Sequence, residues 1–136
     1  MKEDCIFCKL ANGVFPTNSV YEDDMFNVIM DISPVAKGHC LVICKEHYEN
    51  ALEASEEVLS KAFVLASKVA NAVKKTMGCD GINILQNNGK AAGQTVYHLH
   101  LHIIPRWEGD LIDLAPTPQT VDYDLAAVAK EISVNI

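Results

Sequence analysis

The chain has 136 residues, 49% of them hydrophobic and 21% charged, which is the composition of a folded domain and not of a disordered segment. Eleven Lys plus Arg against eighteen Asp plus Glu give a formal net charge of −7. A polynucleotide binder needs a basic face, so this balance argues against nucleic acid as a partner. Without an apolar signal segment or a run of transmembrane length, we expect one cytoplasmic domain over residues 1–136 and no membrane partner.

The first half of the chain predicts a short helix followed by three strands. Asp4 is a suitable N-cap, and the helix should run to about Ala11. Ser19–Glu22 and Met25–Met30 are typical of two strands joined by a tight turn. His39–Cys44 is a continuous apolar run of strand length, so we expect the third strand there.

The second half predicts the main helix, two further strands and a last helix. The main helix should begin at the N-cap Ser55 and end at Met77, with one apolar stripe at helical spacing. Gly81–Leu85 and Tyr97–Ile104 are the predicted strands, and Tyr123–Ile132 is the predicted last helix. This order favours an α+β domain with an antiparallel sheet. The residues that the last helix is expected to bury are Leu125, Val128 and Ile132.

Three histidines alternate with aliphatic residues late in the chain, at His98, His100 and His102. Successive side chains of a strand point to opposite faces, so the three imidazoles should line one side of the sheet. A solvated face that happens to be rich in histidine is the alternative. Three stacked imidazoles would repel one another on protonation, which favours a functional cluster.

Cys5 and Cys8 form a C-x-x-C pair among five cysteines, an odd number in a chain without an export signal. The pair is open to three interpretations. A redox dithiol would follow a strand, and none is predicted before Cys5. Two buried apolar cysteines are the second possibility. The third is half of a zinc site, for which His47 and His98 are the candidate remaining ligands.

The segment Asn87–Thr95, rich in Asn and Gly, predicts a loop before the histidine strand. An ordinary turn is the simplest explanation of it. Neither G-x-x-x-x-G-K-[ST] nor G-x-G-x-x-G occurs in the chain, so P-loop and Rossmann nucleotide sites are excluded.

The histidine run resembles the signature of a known family. His98-Leu99-His100-Leu101-His102-Ile103-Ile104 matches the alternating motif of the histidine triad (HIT) family. Within that family the chain is most similar to the bacterial histidine triad nucleotide-binding (HINT) branch. Further matching segments are Cys5-Ile6-Phe7-Cys8, Asp31-Ile32-Ser33-Pro34, His39 and Gly93-Gln94-Thr95-Val96-Tyr97.

The resemblance implies a fold, an oligomeric state and a chemistry. The fold would be a five-stranded antiparallel sheet per protomer with one main helix and a C-terminal helix, and the sheets of two protomers would join across a homodimer. His100 would attack the α-phosphorus of a nucleoside 5′-phosphoramidate or acyl-nucleotidylate. Its Nδ1–H would donate to a main-chain carbonyl, and water would resolve the covalent nucleotidyl-histidine. His102 would contact the phosphate or the departing group, and His39 would join a proton relay behind it.

The resemblance also implies which residues hold a purine nucleotide of the AMP or GMP type. Asp31 would accept hydrogen bonds from the ribose hydroxyls. For Ile29 and Ile32, an ordinary place in the core is an equally open explanation. The expected nucleotide-contacting residues are Ile6, Phe7, Leu10, Ile29, Asp31, Ile32, Asn87, Gly93, Gln94, Thr95, His100 and His102.

Related bacterial proteins with this cysteine pair bind zinc, so the resemblance supports one structural zinc ion held by Cys5, Cys8, His47 and His98. Three other functions stay open at this stage. A diadenosine polyphosphate hydrolase is compatible with the chain, although Asn87 stands where glutamine would be expected. A nucleotide-sensing or scaffold protein with incidental turnover and a zinc-stabilised interaction module are the others.

Overall fold

The protein is an α+β domain built on one antiparallel sheet. It is described by a computed structural model that covers residues 1–114 and 117–136. The predicted five-stranded sheet, main helix and C-terminal helix are all confirmed. In chain order the elements are α1 (Ile6–Ala11), β1 (Ser19–Glu22), β2 (Phe26–Met30), β3 (Cys40–Cys44), α2 (Glu56–Met77), β4 (Gly81–Leu85), a 3-10 turn (Lys90–Ala92), β5 (His100–Arg106) and α3 (Leu125–Ser133).

The strands lie in the order β1-β2-β3-β5-β4, and every neighbouring pair is antiparallel. β4 lies at the edge of the sheet, outside β5, because α2 carries the chain from β3 across to that edge. β5 then returns between β3 and β4. The histidine strand is therefore central and is hydrogen-bonded on both sides, which holds its side chains in a fixed row.

α2 covers one face of the sheet. Its start is capped by Ser55, whose hydroxyl accepts the Val58 N–H at 3.2 Å, and its end is set by Gly78 at φ 62°. Among the described residues no helix is long and apolar enough to span a membrane. The residues buried between α2 and the sheet include Val28, Val42, Ala62, Ala66, Val69, Leu99, Leu101 and Ile103.

The opposite face of the sheet is partly covered by α1 and forms a smaller core. The prediction that Asp4 caps α1 is wrong, because the side chain of Cys5 accepts the Cys8 N–H at 3.4 Å and takes the N-cap position. Asn27 Nδ2 donates to the Leu10 carbonyl and ties the helix to β2. The apolar residues of this second core are Phe7, Leu10, Ala11, Ile29, Leu41 and Ile43.

Three strands begin later than predicted, and β5 differs most, since it starts at His100 and not at Tyr97. Before it, the His98 N–H donates to the Val96 carbonyl, and this turn keeps the segment out of the ladder. β5 continues through Pro105 to Arg106 alongside β4 alone, because β3 begins at Cys40, opposite Ile103. Beyond that point the strand has one neighbour only, so a residue without an N–H is tolerated.

α3 forms close to its predicted position, capped by Asp124, but the prediction that it packs into the core is wrong. Leu125 and Ile132 are 60% and 59% exposed, Val128 is exposed as well, and no residue of the helix is buried. The helix forms where the periodicity of the segment predicts it. The periodicity does not show whether the apolar stripe of α3 has a surface to pack on, and among the described residues of this chain the stripe lies exposed.

Candidate active site

A pocket of about 790 Å³ opens on the face of the sheet that carries α1. The structure brings together ten of the residues that sequence analysis placed at the active site, from both ends of the chain. Its floor is apolar and comes from β2, β3 and α1, whereas its far wall is formed by His39, which precedes β3, and by His100 and His102 of β5. The predicted residues that line it are Ile6, Phe7, Leu10, Ile29, Asp31, Ile32, His39, Thr95, His100 and His102.

The ring of His100 is held by the main chain. Its Nδ1 lies 2.6 Å from the carbonyl oxygen of His98, which can only accept a hydrogen bond, so Nδ1 carries the proton. The lone pair is then on Nε2, the nitrogen left available to the pocket. Phe7 packs edge-on against the ring with centroids 4.8 Å apart. The arrangement is that of an oriented neutral nucleophile.

The tautomer of His102 is set through His39. The Val35 N–H donates to Nδ1 of His39 at 3.2 Å, so the proton of a neutral His39 is on Nε2. That Nε2 lies 2.9 Å from Nδ1 of His102 and donates to it. His102 consequently carries its own proton on Nε2. The relay thus presents an N–H donor to the pocket beside the lone pair of His100.

Asp31 lies at the same end of the pocket as the relay. Its Oδ2 is 3.5 Å from Nε2 of His39, and its Oδ1 accepts the Ser33 N–H at 2.8 Å. The carboxylate, His39 and His102 are close enough together to surround a cation. The proton on Nε2 of His39 occupies the position that a metal would need, so these three residues form a hydrogen-bonded relay and not a metal site.

The imidazoles of the site are uncharged near neutral pH. Burial lowers the pKa of His102 to about 4, and the neighbouring rings of His100 and His39 act in the same direction. Burial also lowers the pKa of His100, and it lowers that of His39 despite the nearby carboxylate of Asp31. Neutral rings keep their lone pairs at neutral pH, which is what a nucleophilic imidazole would require.

Three predicted nucleotide residues do not line the pocket. Asn87 and Gly93 contact one another, with Nδ2 of Asn87 3.4 Å from the Gly93 carbonyl. Gln94 is 3% exposed, and its amide donates to the carbonyls of Glu49 and Val96. The Gln94 side chain therefore supports the loop from within, and the expected nucleotide contact of Gln94 stays a prediction.

Sequence analysis missed part of the pocket wall. The loop between α1 and β1 contributes Pro16, Thr17 and Asn18, and the turn after β2 contributes Ser33 and Val35. Pro16, Thr17 and Asn18 belong to no motif, and only the folding of α1 over the sheet brings their loop to the pocket. Ser33 lies in the matching segment Asp31-Ile32-Ser33-Pro34, from which only Asp31 and Ile32 were expected at the nucleotide. The remaining lining residues are Met30, Leu41 and Val96.

A second cluster joins the start of the chain to the histidine strand. The potential ligand atoms of Cys5, Cys8, His47 and His98 all lie within 4.8 Å of one another, and neighbouring pairs are 3.1 to 3.5 Å apart. Ligands about 2.0 to 2.3 Å from one tetrahedral ion would lie roughly 3.3 to 3.8 Å apart. Nε2 of His98 is 2.6 Å from the Cys44 carbonyl, so it holds the proton and Nδ1 turns its lone pair to the cluster. The four residues fit a metal ion.

The sequence comparisons agree with this geometry. Residues 12–109 match the family model of the HIT domain. The chain is 47% identical to Protein hit of Bacillus subtilis, over 96% of this chain and 93% of that protein. It is 42% identical to the adenosine 5′-monophosphoramidase hnt1 of Schizosaccharomyces pombe, over 75% and 74% of the two chains. The chain belongs to the HIT family.

Solved structures show the same fold. A protein of Streptococcus mutans superposes with a TM-score of 0.93 at 40% identity, covering 99% of this chain and 87% of the other. A Zn-bound histidine triad family protein of Mycobacterium smegmatis superposes with a TM-score of 0.77 at 35% identity, covering 96% and 97%.

The lowered pKa of His102 predicts a pH dependence of stability. Unfolding returns this side chain to its usual pKa of 6.5, so below pH 6.5 the unfolded chain binds a proton that the folded chain does not bind until about pH 4. The free energy of unfolding should therefore fall as the pH is lowered through this window. Replacing His102 with Asn should make the fall shallower, by at most about 1 kcal/mol per pH unit once solvent exposure is allowed for.

Urea unfolding of wild type and His102→Asn at pH 7, 6 and 5 measures this difference. His102→Asn leaves the cysteine–histidine cluster unchanged, so acid effects on that cluster cancel in the comparison. Identical slopes for the two proteins would show that His102 is not held neutral by the fold.

Proposed function

We propose that the protein is a hydrolase or transferase that cleaves nucleoside 5′-phosphoramidates or acyl-nucleotidylates through a nucleotidyl-histidine intermediate on His100. The observation that carries the proposal is the hydrogen bond from Nδ1 of His100 to the His98 carbonyl, which leaves Nε2 as a nucleophile at the pocket. The relatives named as a phosphoramidase and as HIT proteins support the same chemistry.

In the first step, Nε2 of His100 bonds to the α-phosphorus, and the bond to the leaving group breaks. The leaving group takes the bonding pair and gains a proton from solvent. The ring then carries a proton on Nδ1 and phosphorus on Nε2, so it is positively charged. The His98 carbonyl, 2.6 Å from Nδ1, stabilises that charge in place.

In the second step, water bonds to the phosphorus and releases a proton to solvent, while the bond from phosphorus to Nε2 breaks and its electron pair returns to Nε2, which leaves a neutral imidazole. The cationic imidazole is a good leaving group, so no further base is needed on the ring. The Nε2–H of His102 has the position and the tautomer to donate to a phosphate oxygen during both steps. Because the pKa of His102 is about 4, we assign it this hydrogen bond and not the role of a proton donor to the leaving group.

The remaining lining residues support a single purine nucleotide as ligand. The apolar side chains along the floor suit a base, and we place the ribose hydroxyls at the carboxylate of Asp31. We place the phosphate near the Thr95 hydroxyl, and contacts from Asn87 and the Gly93 backbone remain predictions.

The composition of the pocket favours phosphoramidates over dinucleoside polyphosphates. Among the described residues, neither lysine nor arginine lines the pocket, its histidines are held neutral, and Asp31 contributes a carboxylate. A polyphosphate chain carries several negative charges that an enzyme usually neutralises with cations. The protein as a whole has a net charge of −7. A leaving amine or acyl group needs no such cations.

Replacing His100 with Ala tests the nucleophile. We expect kcat for adenosine 5′-phosphoramidate to fall by about 10⁴, while the affinity for AMP, measured by calorimetry, stays within a few-fold. His102→Ala is the matched comparison and should lower kcat by about 10² to 10³, as for the loss of one transition-state hydrogen bond. A His100→Ala protein that turns over at the wild-type rate would exclude the proposal.

We further propose that Cys5, Cys8, His47 and His98 hold one structural zinc ion. Two thiolates and two imidazoles are a common zinc donor set, and four protein ligands leave no position for water. The bound ion would tie the start of α1 to the segments that follow β3 and precede β5. The Zn-bound relative from Mycobacterium smegmatis supports this assignment.

Substituting Cys5 with Ser tests the metal site. Protein purified without chelator should contain about one zinc per chain, and Cys5→Ser should lose most of it together with thermal stability. Cys79→Ser is the control, since Cys79 is a buried cysteine outside the cluster. If both variants kept the metal equally, the cysteine pair would be ordinary core.

We also propose a homodimer formed through α2 and β4. β4 is the outer strand of the sheet, with its second edge unpaired in the described chain, and Phe63 on α2 is 60% exposed. Pairing the two β4 edges would cover both features and extend the sheet to a second copy. Light scattering at micromolar concentration should give twice the mass of the 14.9 kDa chain, and a monomer would contradict the proposal.

A further inference from the structure

The C-terminal helix α3 is exposed along its whole length, although one side of it is apolar. Leu125, Val128 and Ile132 are 60%, 37% and 59% exposed, and no residue of the helix is buried. Their spacing of three and four residues places them in one ridge along the helix. Removing such a ridge from water is favourable, so the ridge is suited to a contact surface.

The chain leaves the sheet towards α3 in a defined direction. The guanidinium of Arg106, the last residue of β5, donates to the Asp110 carboxylate at 2.8 and 2.9 Å and also to the Ile112 carbonyl. The superposition on the Streptococcus mutans protein covers 99% of this chain, with a TM-score of 0.93. The part of the chain after β5 therefore projects from the domain in the same way in that protein.

An apolar groove, here called the α2 groove, lies between α2 and the turn that joins β1 to β2. Its volume is about 660 Å³, and none of its lining residues belongs to the nucleotide pocket. Leu65 and Val69 are buried and form its floor, whereas Val20 and Val64 are 50% and 55% exposed. The α2 groove is thus a second apolar surface that the described chain leaves open to solvent.

The ridge of α3 and the α2 groove match in length. The lining residues of the groove follow α2 from Lys61 to Ala72, which is about 16 Å at 1.5 Å per residue. From Leu125 to Ile132 the ridge of α3 is about 10 Å long. Its three apolar side chains therefore fit within the groove, as in the side-by-side packing of two helices.

The charges beside the ridge and the groove are complementary and have the same spacing. Lys61 and Lys68 line the groove seven residues apart, and Asp124 and Glu131 are also seven residues apart. Seven residues are nearly two helical turns, so each pair lies on one side of its helix, about 10 Å apart. Lys61 already contacts Glu57 at 2.7 Å, but among the described residues Lys68 has no ion-pair partner.

We propose that α3 of one copy of the protein docks in the α2 groove of a second copy, with its apolar ridge in the groove and Glu131 beside Lys68. The second copy returns the same contact, so the exchange closes a symmetric dimer. Residues 107–124 span at most about 60 Å when extended, which exceeds the roughly 30 Å diameter of a small domain. The proposal rests on the homodimer proposed above and adds an exchanged helix to its β4 contact.

Cross-linking between isotopically distinct copies tests the contact directly. Unlabelled and ¹⁵N-labelled full-length chains are refolded together in equal amounts, and native mass spectrometry confirms the mixed dimer. A carbodiimide then joins neighbouring amines and carboxylates. We expect cross-links from Lys68 to Glu131, about half of which combine a labelled with an unlabelled peptide. Cross-links within single chains only would show that α3 fills its own groove, and none between α3 and the groove would also overturn the proposal.

Replacing Ile132 with Ala tests the apolar part of the contact. The dimer dissociation constant, measured by sedimentation with fluorescence detection, should rise about tenfold, because each dimer loses two buried side-chain ends. Val134→Ala is the matched control, since helical periodicity places Val134 on the opposite side from the ridge and it is 74% exposed. It should leave the dissociation constant unchanged.

An exchange of charges tests the ionic part. Lys68→Glu should raise the dissociation constant about fivefold, and the addition of Glu131→Lys should restore it, because the pair then attracts again. Lys75→Glu is the control, since it makes the same change of charge on α2 outside the groove. A double variant that dissociates as readily as Lys68→Glu alone would contradict the assigned pair.

The outcomes separate the exchange from the homodimer itself. If wild type is a monomer at micromolar concentration, the homodimer and the exchange both fail. If wild type is a dimer but Ile132→Ala dissociates no more readily than Val134→Ala, the exchange is wrong and the contact through β4 stands.

Discussion

The structure depends most on the hydrogen bond between the His98 carbonyl and Nδ1 of His100. The same residue, His98, turns its ring in the opposite direction, with Nε2 bonded to the Cys44 carbonyl and Nδ1 facing the cysteine–histidine cluster. One residue therefore links the cluster to His100, the proposed nucleophile. Any displacement of the His98 ring would move the carbonyl that orients His100, which explains why a cluster outside the pocket can matter to the chemistry inside it.

The two faces of the sheet have different roles. α2 buries the larger of the two apolar cores on one face, and the removal of this apolar surface from water stabilises the fold. The other face carries the smaller α1 and leaves room for the pocket. β5 serves both, because alternate residues such as Leu101 and His102 point in opposite directions. Packing on the α2 face thus holds the imidazoles in line on the pocket face.

Burial and main-chain groups together set the protonation of the site. Burial lowers the pKa values of His39, His100 and His102, so all three are neutral. The Val35 N–H then determines which nitrogens of His39 and His102 carry a proton, and the His98 carbonyl determines this for His100. Main-chain donors and acceptors cannot change their role, so the tautomers are fixed before a ligand arrives.

Much of the fold and part of the site could be predicted from the sequence. The alternation of His98, His100 and His102 with aliphatic residues located the central strand, and the resemblance to the HIT family identified the residues of the cysteine–histidine cluster. Local patterns could not show that the His98 turn delays β5, that Gln94 faces inwards or that α3 lies exposed. Each of these depends on contacts between distant segments. Asn18 was missed for the same reason, since only the folded loop brings it to the pocket.

The central claim is that His100 forms a covalent bond to phosphorus. Rapid quenching of the wild-type protein with a nucleoside phosphoramidate labelled in the nucleotide tests it directly. The account predicts an acid-labile, base-stable adduct of one nucleotide on His100 and retention of configuration at phosphorus, because two displacements invert it twice. Inversion of configuration, or an adduct on another residue, would contradict the account.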